Sequence, residues 1–174
     1  MLRIVGVGEI LIDDDPKDTV MTFALGSCVA LTIYAPSRKV LGMAHIALPD
    51  SSINPMKSLE SPGYFADTAV PVLVEKFLKH YHCRGWELNI RLYGGAATVW
   101  GGDAFQIGTR NIETIEAILR GYRLSYDASQ IGGRFSRTIA AAINDGKVKV
   151  HQQPLYPVQS GSESNPEERT VLPN

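Results

Sequence analysis

The sequence predicts an α+β fold, a layered sandwich in which two amphipathic helices pack on a largely antiparallel or mixed β-sheet system. Short apolar runs rich in Val, Ile, Leu, Thr and Tyr recur with turn residues between them, which is typical of antiparallel strands. Two longer segments instead place apolar residues at helical spacing. The length of 174 residues suits one domain of ordinary size with a buried core.

The chain opens with an expected strand from Leu2 to Ile12, where apolar residues alternate loosely. The stretch from Thr22 to Pro49 follows: TFALGSCVALTIYAPSRKVLGMAHIALP. It divides into three apolar runs, separated by Gly26-Ser27 and by Pro36-Ser37. Turn residues between runs of this kind predict adjacent antiparallel strands. We expect the rest of the chain to be organised around these strands.

The second of these turns decides which side chains face each other. If it centres between Pro36 and Ser37, His45 lies directly opposite Cys28 in an antiparallel pair. Directly opposed residues have Cβ atoms about 4.5–5.5 Å apart, so this register brings a thiol within reach of an imidazole. A slip of one residue would put the two side chains on opposite faces of the sheet.

A single cysteine in an apolar run is usually a small buried hydrophobe, and a single histidine is more often structural than catalytic. The break at Gly26-Ser27 favours a different interpretation of Cys28. It places the thiol at the start of a strand, beside backbone N–H groups released by the turn, and such donors stabilise a developing oxyanion. Cys28 is therefore a candidate nucleophile and His45 a candidate base, with Gly26 and Ser27 as candidate oxyanion residues.

The first helix is expected from Tyr64 to Tyr81, where Pro71 marks either the first turn of a shorter helix or a kink. Before it, residues 49–62 are rich in Ser, Pro and Asn and predict a loop, either a rim over the thiol or a surface excursion. After it, His80 to Cys83 superficially resembles a metal cluster. No second pair of ligands follows nearby, so we expect no metal site.

A further strand is expected from Trp86 to Tyr93, followed by Gly94-Gly95 and Gly101-Gly102. Glycines permit close backbone approach, so this segment is a candidate lining of the same cleft. The second helix is expected from Ile112 to Arg120. Its candidate caps are Thr109 or Asn111 at the N-terminus and Gly121 at the C-terminus.

A short strand from Arg123 to Asp127 and a hairpin around Asn144-Asp145-Gly146 complete the expected domain. Two hairpin arginines, Arg134 and Arg137, are candidates for contact with an acidic partner surface. The domain is expected to span residues 1–151. Residues 152–174 are dominated by Pro, Ser, Gln and Glu and predict a poorly ordered tail.

Composition excludes several classes of function. Seventeen basic and 18 acidic residues nearly cancel, so no strong field favours nucleic acid or an anionic membrane. The two cysteines form no framework of spaced pairs, which favours a reducing compartment. The N-terminal residues do not read as a signal peptide, and no run approaches the roughly 18 apolar residues of a membrane span. A cytoplasmic protein without membrane insertion is expected.

Three blocks of this sequence resemble the CheD family of chemoreceptor glutamine deamidases. They are LGSCVALTIYAP…VLGMAHIALPDS, GYFADTAVPVLVE and LYGGAATVW…IGTRNIETIEAIL, and the likeness runs from about Gly6 to about Val150. The resemblance implies Cys28 as nucleophile, His45 as base and Thr22 as the residue that supports the histidine. It also places Gly94 and Gly95 near the active site as shaping residues. The sequence departs from the family pattern at residues 130–133, QIGG, where an Asp usually precedes the two glycines.

The resemblance further implies a hydrolase that converts receptor glutamines to glutamates in bacterial chemotaxis, by a Cys–His mechanism through a glutamyl thioester and without a cofactor. Its implied partners are the cytoplasmic helices of methyl-accepting chemotaxis receptors and, in some members, a CheC-type phosphatase. An alternative is a regulatory binding module for receptors or phosphatase, catalytically inactive or dual in role. A third is a thiol hydrolase of other amides or esters, including receptor methyl esters. A purely redox Cys28 is disfavoured because no resolving cysteine lies nearby in sequence.

Overall fold

A computed structural model describes residues 1–97, 106–155 and 169–171 of the protein. Gly101-Gly102 lies outside these residues, as does most of the expected tail. Two parts of the expected tail are described: residues up to Pro154 continue a strand that begins before the expected boundary, and residues 169–171 pair with that strand.

The described strands form two five-stranded sheets. In chain order they are β1 (Leu2–Ile4), β2 (Ile10–Asp13), β3 (Thr19–Leu25), β4 (Val29–Ala35), β5 (Val40–Ile46), β6 (Asn89–Gly94), β7 (Asp127–Ile131), β8 (Phe135–Ala142), β9 (Val148–Pro154) and β10 (Arg169–Val171). The outer sheet has the order β1-β3-β8-β9-β10, and the central sheet has the order β2-β5-β4-β6-β7. Most neighbours are antiparallel, but β1 pairs with β3 and β6 with β7 in parallel, so both sheets are mixed.

The described residues form three α-helices, and the two longer ones pack on the face of the central sheet that points away from the outer sheet. The three helices are α1 (Pro55–Glu60), α2 (Ala66–Glu75), which continues as a π-helical turn over Lys76–His80, and α3 (Ile107–Gly121). Single 3-10 turns occur at Ser51–Ile53, Pro62–Tyr64 and Gly85–Glu87. No helix in the described part of the chain is long and apolar enough to cross a membrane.

Two apolar cores hold these layers together. One packs α2 and α3 on the central sheet and includes Leu31, Leu73 and Ile115. The other lies between the two sheets and includes Met43 and Ile139. Because the central sheet is covered on both faces, every residue of β4 and β5 is buried. The predicted α+β sandwich with two amphipathic helices is confirmed.

The N-terminal segment differs from the single expected strand. Leu2–Ile4 belongs to the outer sheet and Ile10–Asp13 to the central sheet, so the chain crosses between layers at residues 5–9. Gly8 makes this crossing possible: its φ is +82°, and a Cβ there would lie 2.7 Å from the Ser61 hydroxyl oxygen. Only glycine adopts such a conformation at low cost in so little space.

The prediction of three adjacent strands between Thr22 and Pro49 is correct for two of them. β4 and β5 form the expected hairpin, but β3 leaves this sheet and lies between β1 and β8 of the outer sheet. Within the hairpin the connecting loop covers Pro36 to Lys39, where Lys39 takes a left-handed φ of 51°. The turn therefore centres one residue later than predicted, between Ser37 and Arg38. This moves the register by two residues, so His45 pairs with Ala30 and not with Cys28.

The helix boundaries also move. α3 begins at Ile107, after Gln106 in a left-handed conformation, so Thr109 and Asn111 lie inside the helix and neither is its cap. Gly121 is the last helical residue. α2 passes through Pro71 without ending there. The strand expected from Arg123 to Asp127 is observed later in the chain, as β7.

Residues 49–62 are more regular than the expected loop, because two polar side chains cap short helical segments. Asp50 accepts a hydrogen bond from the Ser52 N–H, and Asn54 accepts one from the Lys57 N–H at the start of α1. Sequence periodicity cannot detect helical pieces this short.

Candidate active site

Cys28 lies where the chain passes from one sheet to the other. Residues 26–28, here called the nucleophile loop, leave the end of β3 in the outer sheet and enter β4 of the central sheet at Val29. The Cys28 side chain is partly buried and packs against the core between the sheets. The loop therefore presents its thiol at one end of the inter-sheet interface.

His45 lies on β5 and faces the same interface. It pairs across the ladder with Ala30, which belongs to the inter-sheet core. Since Cys28 precedes Ala30 by two residues, it is the diagonal neighbour of His45 on that face. Diagonal neighbours are about 7–8 Å apart, within reach of long side chains. The expectation that Cys28 stands directly opposite His45 is wrong, but a two-residue shift preserves the face.

Thr22 reaches His45 from the outer sheet. The Thr22 hydroxyl oxygen is 2.7 Å from Nδ1 of His45 and 2.7 Å from the backbone oxygen of Val5. A hydroxyl has one hydrogen to donate. The assignment that satisfies both contacts has Thr22 donating to the Val5 carbonyl and His45 Nδ1–H donating to Thr22. The imidazole is then the Nδ1–H tautomer, with a lone pair on Nε2.

Burial shifts the pKa values of both reactive groups towards their neutral forms. It raises the pKa of the Cys28 thiol, an effect that the residue's own backbone N–H opposes, and it lowers the pKa of His45. His45 is 3% exposed, and its Nε2 forms no hydrogen bond with any residue that the structure describes. At neutral pH the site therefore holds a neutral thiol beside an uncharged base.

Three consecutive carbonyls of the nucleophile loop are held by hydrogen bonds. The Ala96 N–H donates to Gly26 at 2.8 Å, and the Gly95 N–H donates to Cys28 at 2.8 Å. The carbonyl between them, that of Ser27, accepts from the side-chain amide of Asn111 at 3.1 Å. Among the described residues, no backbone carbonyl accepts the N–H of Ser27 or Cys28, and the Cys28 N–H interacts with the residue's own thiol. Of the two residues that the sequence suggested for an oxyanion, Gly26 and Ser27, the first instead donates its N–H to the Ala24 carbonyl at 2.9 Å.

Gly94 and Gly95, which the resemblance implied as site-shaping residues, lie against this loop. Both have positive φ, 101° and 66°. A Cβ on Gly94 would collide with the carbonyl oxygen of Cys28, and one on Gly95 would lie 2.5 Å from Ile112 of α3. Glycine at both positions lets β6 end directly against the nucleophile loop.

Asn111, which the sequence predicted only as a candidate helix cap, lies beside the nucleophile loop. Its side chain is fully buried, and its Nδ2 donates to the carbonyls of Ser27 and, at 3.0 Å, Ala47. The signal that could have found it is its position on the buried stripe of α3, one turn before Ile115. A polar residue on such a stripe needs a specific partner.

Arg137 is directed inward, which does not fit the contact with an acidic partner considered from the sequence. It is 5% exposed, and Nη1 donates to the Gly132 carbonyl at 2.9 Å. The Gly132 N–H in turn donates to Gly94 at 2.8 Å. In the segment that departs from the family pattern, Gln130 accepts from the side chain of Gln152 at 2.9 Å.

Among the described residues, no group of three or more His, Cys, Asp or Glu side chains is arranged to hold a metal ion. The site offers a partly buried thiol, an imidazole with a lone pair on Nε2, and backbone N–H groups in the nucleophile loop. These are groups that a thiol-dependent hydrolase would use.

The chain belongs to the CheD family. The family described as CheD chemotactic sensory transduction matches residues 47–152. A probable chemoreceptor glutamine deamidase CheD from Syntrophotalea carbinolica is 42% identical, over 84% of this chain and 91% of that protein. The chemoreceptor glutamine deamidase CheD of Thermotoga maritima is 34% identical, over 87% of this chain and 92% of that protein. The resemblance predicted from the sequence is confirmed.

Among solved structures, a Bacillus licheniformis hypothetical protein YfiH gives a TM-score of 0.46 at 9% identity, over 71% of this chain and 51% of that one. Likeness at that level supports no inference about this chain.

Proposed function

We propose that this protein hydrolyses the side-chain carboxamide of glutamines on chemotaxis receptors, with Cys28 as nucleophile and His45 as general base. The observation that carries the proposal is the hydrogen bond between Thr22 and His45 Nδ1, because it leaves Nε2 as the basic atom on the face that Cys28 shares. The enzyme class predicted from the sequence, a hydrolase acting on a carboxamide, is the class that the names of the curated relatives describe.

The reaction begins with the neutral pair. As the carboxamide carbon approaches, His45 Nε2 accepts the Cys28 proton and the sulfur forms a bond to that carbon. The carbonyl oxygen becomes an oxyanion, which the N–H groups of Ser27 and Cys28 stabilise. The imidazolium and the oxyanion form in the same step, so neither charge has to stand alone in the buried site.

Collapse of this intermediate breaks the carbon–nitrogen bond. His45 returns the proton to the departing nitrogen, ammonia leaves, and Cys28 remains as a glutamyl thioester. A water molecule then gives one proton to Nε2 as its oxygen attacks the thioester carbon. The sulfur leaves, recovers the proton from His45, and the substrate residue is now a glutamate. No external oxidant or reductant is needed for this sequence.

Thr22 acts through His45 and does not contact the reacting atoms. It keeps the Nδ1 hydrogen in place while Nε2 gains and loses its proton, and its own hydroxyl is anchored on Val5. Asp or Glu often has this role in other nucleophilic enzymes. A neutral hydroxyl stabilises the imidazolium less, which fits a base whose pKa burial already lowers.

Receptor glutamines are the proposed substrates because the curated relatives are named for them, and the corresponding location is the cytoplasm, where the modifiable receptor helices lie. A CheC-type phosphatase is a further proposed partner and rests on the sequence resemblance.

The test is intact-mass analysis of a receptor cytoplasmic fragment incubated with the wild-type protein, with Cys28→Ala and with Cys83→Ala. Conversion of an amide to an acid adds about one mass unit per site. We expect the gain with wild type and with Cys83→Ala, whose thiol lies in the helix-side core, and no gain with Cys28→Ala. Equal activity of Cys28→Ala, or no gain with folded wild-type protein that binds the receptor, would overturn the proposal.

A further inference from the structure

We propose that Asn111 is a positioning residue that aims the Cys28 backbone N–H at the reaction centre and ties the nucleophile loop to the segment after His45. This inference rests on the proposed function, since it concerns the same site. Its basis is a single fully buried side-chain amide that donates to two carbonyls, Ser27 at 3.1 Å and Ala47 at 3.0 Å.

The orientation of this amide follows from its partners. Both neighbours are carbonyl oxygens, which accept hydrogen bonds, so the NH₂ group and not Oδ1 must face them. Both Nδ2 hydrogens are used. Oδ1 is buried and has no hydrogen-bond partner in the described part of the chain. A buried amide that leaves its own oxygen unpaired is costly at an apolar helix position, so the two donated bonds are the reason for its presence.

The geometry of the peptide unit turns one of these bonds into control of the oxyanion donor. A trans peptide is planar, and its C=O and N–H groups point in opposite directions. When Asn111 draws the Ser27 carbonyl towards α3, the N–H of Cys28 in the same peptide unit points away from α3. The Ala96 N–H acts on the Gly26 carbonyl and orients the Ser27 N–H in the same manner. The first of these orientations therefore depends on a side chain, and the second on backbone alone.

The second bond of Asn111 links the two halves of the catalytic pair. Ala47 follows His45 by two residues, directly after β5 ends at Ile46. One amide thus spans from the loop that carries the nucleophile to the segment that leaves the strand of the base. Since α3 is anchored on the central sheet by Ile115 and Leu119, the helix acts as the fixed support of both.

The experiment compares Asn111→Ala and Asn111→Asp with wild type, after each is shown to be folded by circular dichroism. We expect kcat for receptor deamidation to fall by about tenfold or more while KM stays within about twofold, because an oxyanion donor acts in the transition state. The aspartate is the sharper change, since an ionised carboxylate of the same shape cannot donate to either carbonyl.

A second readout separates this role from a general structural one. Alkylation of Cys28 by iodoacetamide requires the thiolate but builds no oxyanion, so its rate should change less than about threefold in Asn111→Ala, which adds no charge near the thiol. The matched control is Glu113→Gln on the exposed face of α3. It exchanges an acid and an amide of similar shape without touching the buried stripe, and should leave both kcat and the alkylation rate at the wild-type level.

Two results would overturn the inference: wild-type kcat in folded Asn111→Ala, or equal losses of kcat and of alkylation rate. Cys28→Ala, measured beside these variants, distinguishes this failure from that of the proposed function. If Cys28→Ala is inactive and Asn111→Ala is fully active, only the role of Asn111 is wrong. If Cys28→Ala still deamidates, the mechanism itself fails.

Discussion

The two faces of the central sheet are both buried, yet they carry different side chains. On the face towards the helices, apolar strand residues such as Leu31 form a core with Leu73 and Phe77 of the covering helix. The face towards the outer sheet includes His45 and Thr32 and meets Thr22 of the outer sheet. Burying polar groups is unfavourable unless each is hydrogen-bonded. The helix-side core therefore contributes mainly to stability. The inter-sheet interface contributes less, because it buries polar side chains that include the proposed reactive groups.

The largest expected effect comes from removing the base at the inter-sheet interface. His45→Ala should lower the rate of glutamate formation by about 10²–10⁴-fold, the usual contribution of a general acid–base group. The measurement is the initial rate of receptor deamidation at equal concentrations of folded protein. Retention of more than about a tenth of the rate would show that another group accepts the Cys28 proton.

Truncation of a large side chain in the helix-side core should lower the free energy of unfolding and leave the catalytic rate unchanged. Phe77 is fully buried and lies so close to β5 that a Cβ on Gly42 would be 2.7 Å from its ring. Phe77→Ala should reduce the free energy of unfolding by about 3–5 kcal/mol, measured by urea denaturation. Activity per folded molecule should stay close to wild type. A selective loss of kcat in the folded fraction would show that the two faces are not separable in this way.

The hydroxyl of Thr22, at the inter-sheet interface, can be removed with little change in the shape of the side chain. Thr22→Val leaves the Val5 carbonyl and His45 Nδ1 without their shared partner, which should cost about 1–3 kcal/mol of stability. The rate should fall by about 10–100-fold because the tautomer is no longer fixed. Thr22→Ser keeps the hydroxyl and is the matched control. If valine and serine behaved alike, the hydrogen bond would have no catalytic role.

The smallest expected effect is a shift in pH dependence. Burial lowers the pKa of His45 below its ordinary value near 6.5. The deamidation rate should therefore fall, as His45 becomes protonated, only at pH below about 6.5. Stability has the same sign: the unfolded chain binds the proton first, so the contribution of His45 is present above pH 6.5 and is lost as pH falls through the folded pKa. The deamidation rate of the wild-type protein is measured from pH 5 to 8. The free energy of unfolding in urea is measured over the same range for the wild-type protein and for His45→Ala. A rate midpoint above 6.5 would contradict this account.

The sequence was sufficient to predict the fold class and the shared sheet face of Cys28 and His45. Alternating runs and two helical stripes predicted the layers, and the parity of a strand placed Cys28 and His45 on one face even though the register was wrong by two residues. The register itself depends on the loop from Pro36 to Lys39, whose left-handed Lys39 has no sequence signature of the kind that Gly or Asn provides.

Long-range pairing was beyond reach for a different reason. β3 belongs to the outer sheet because it pairs with β8, more than a hundred residues later. No local sequence pattern predicts which distant strand will pair with it. Asn111 was missed for the same cause, because its partners are Ser27 and Ala47. Local chemistry predicts which residues can react, whereas tertiary contacts decide which residues hold them in place.

The proposed role of His45 as base depends on its tautomer, which long-range ¹H–¹⁵N NMR of the imidazole at neutral pH measures, with His45→Ala used to assign the signals. This account predicts a neutral ring with the hydrogen on Nδ1, bonded to Thr22, and an unprotonated Nε2. In Thr22→Val the preference for that tautomer should decrease. An Nε2–H tautomer, or an imidazolium at neutral pH, would contradict the account, because Nε2 would then have no lone pair with which to accept the Cys28 proton.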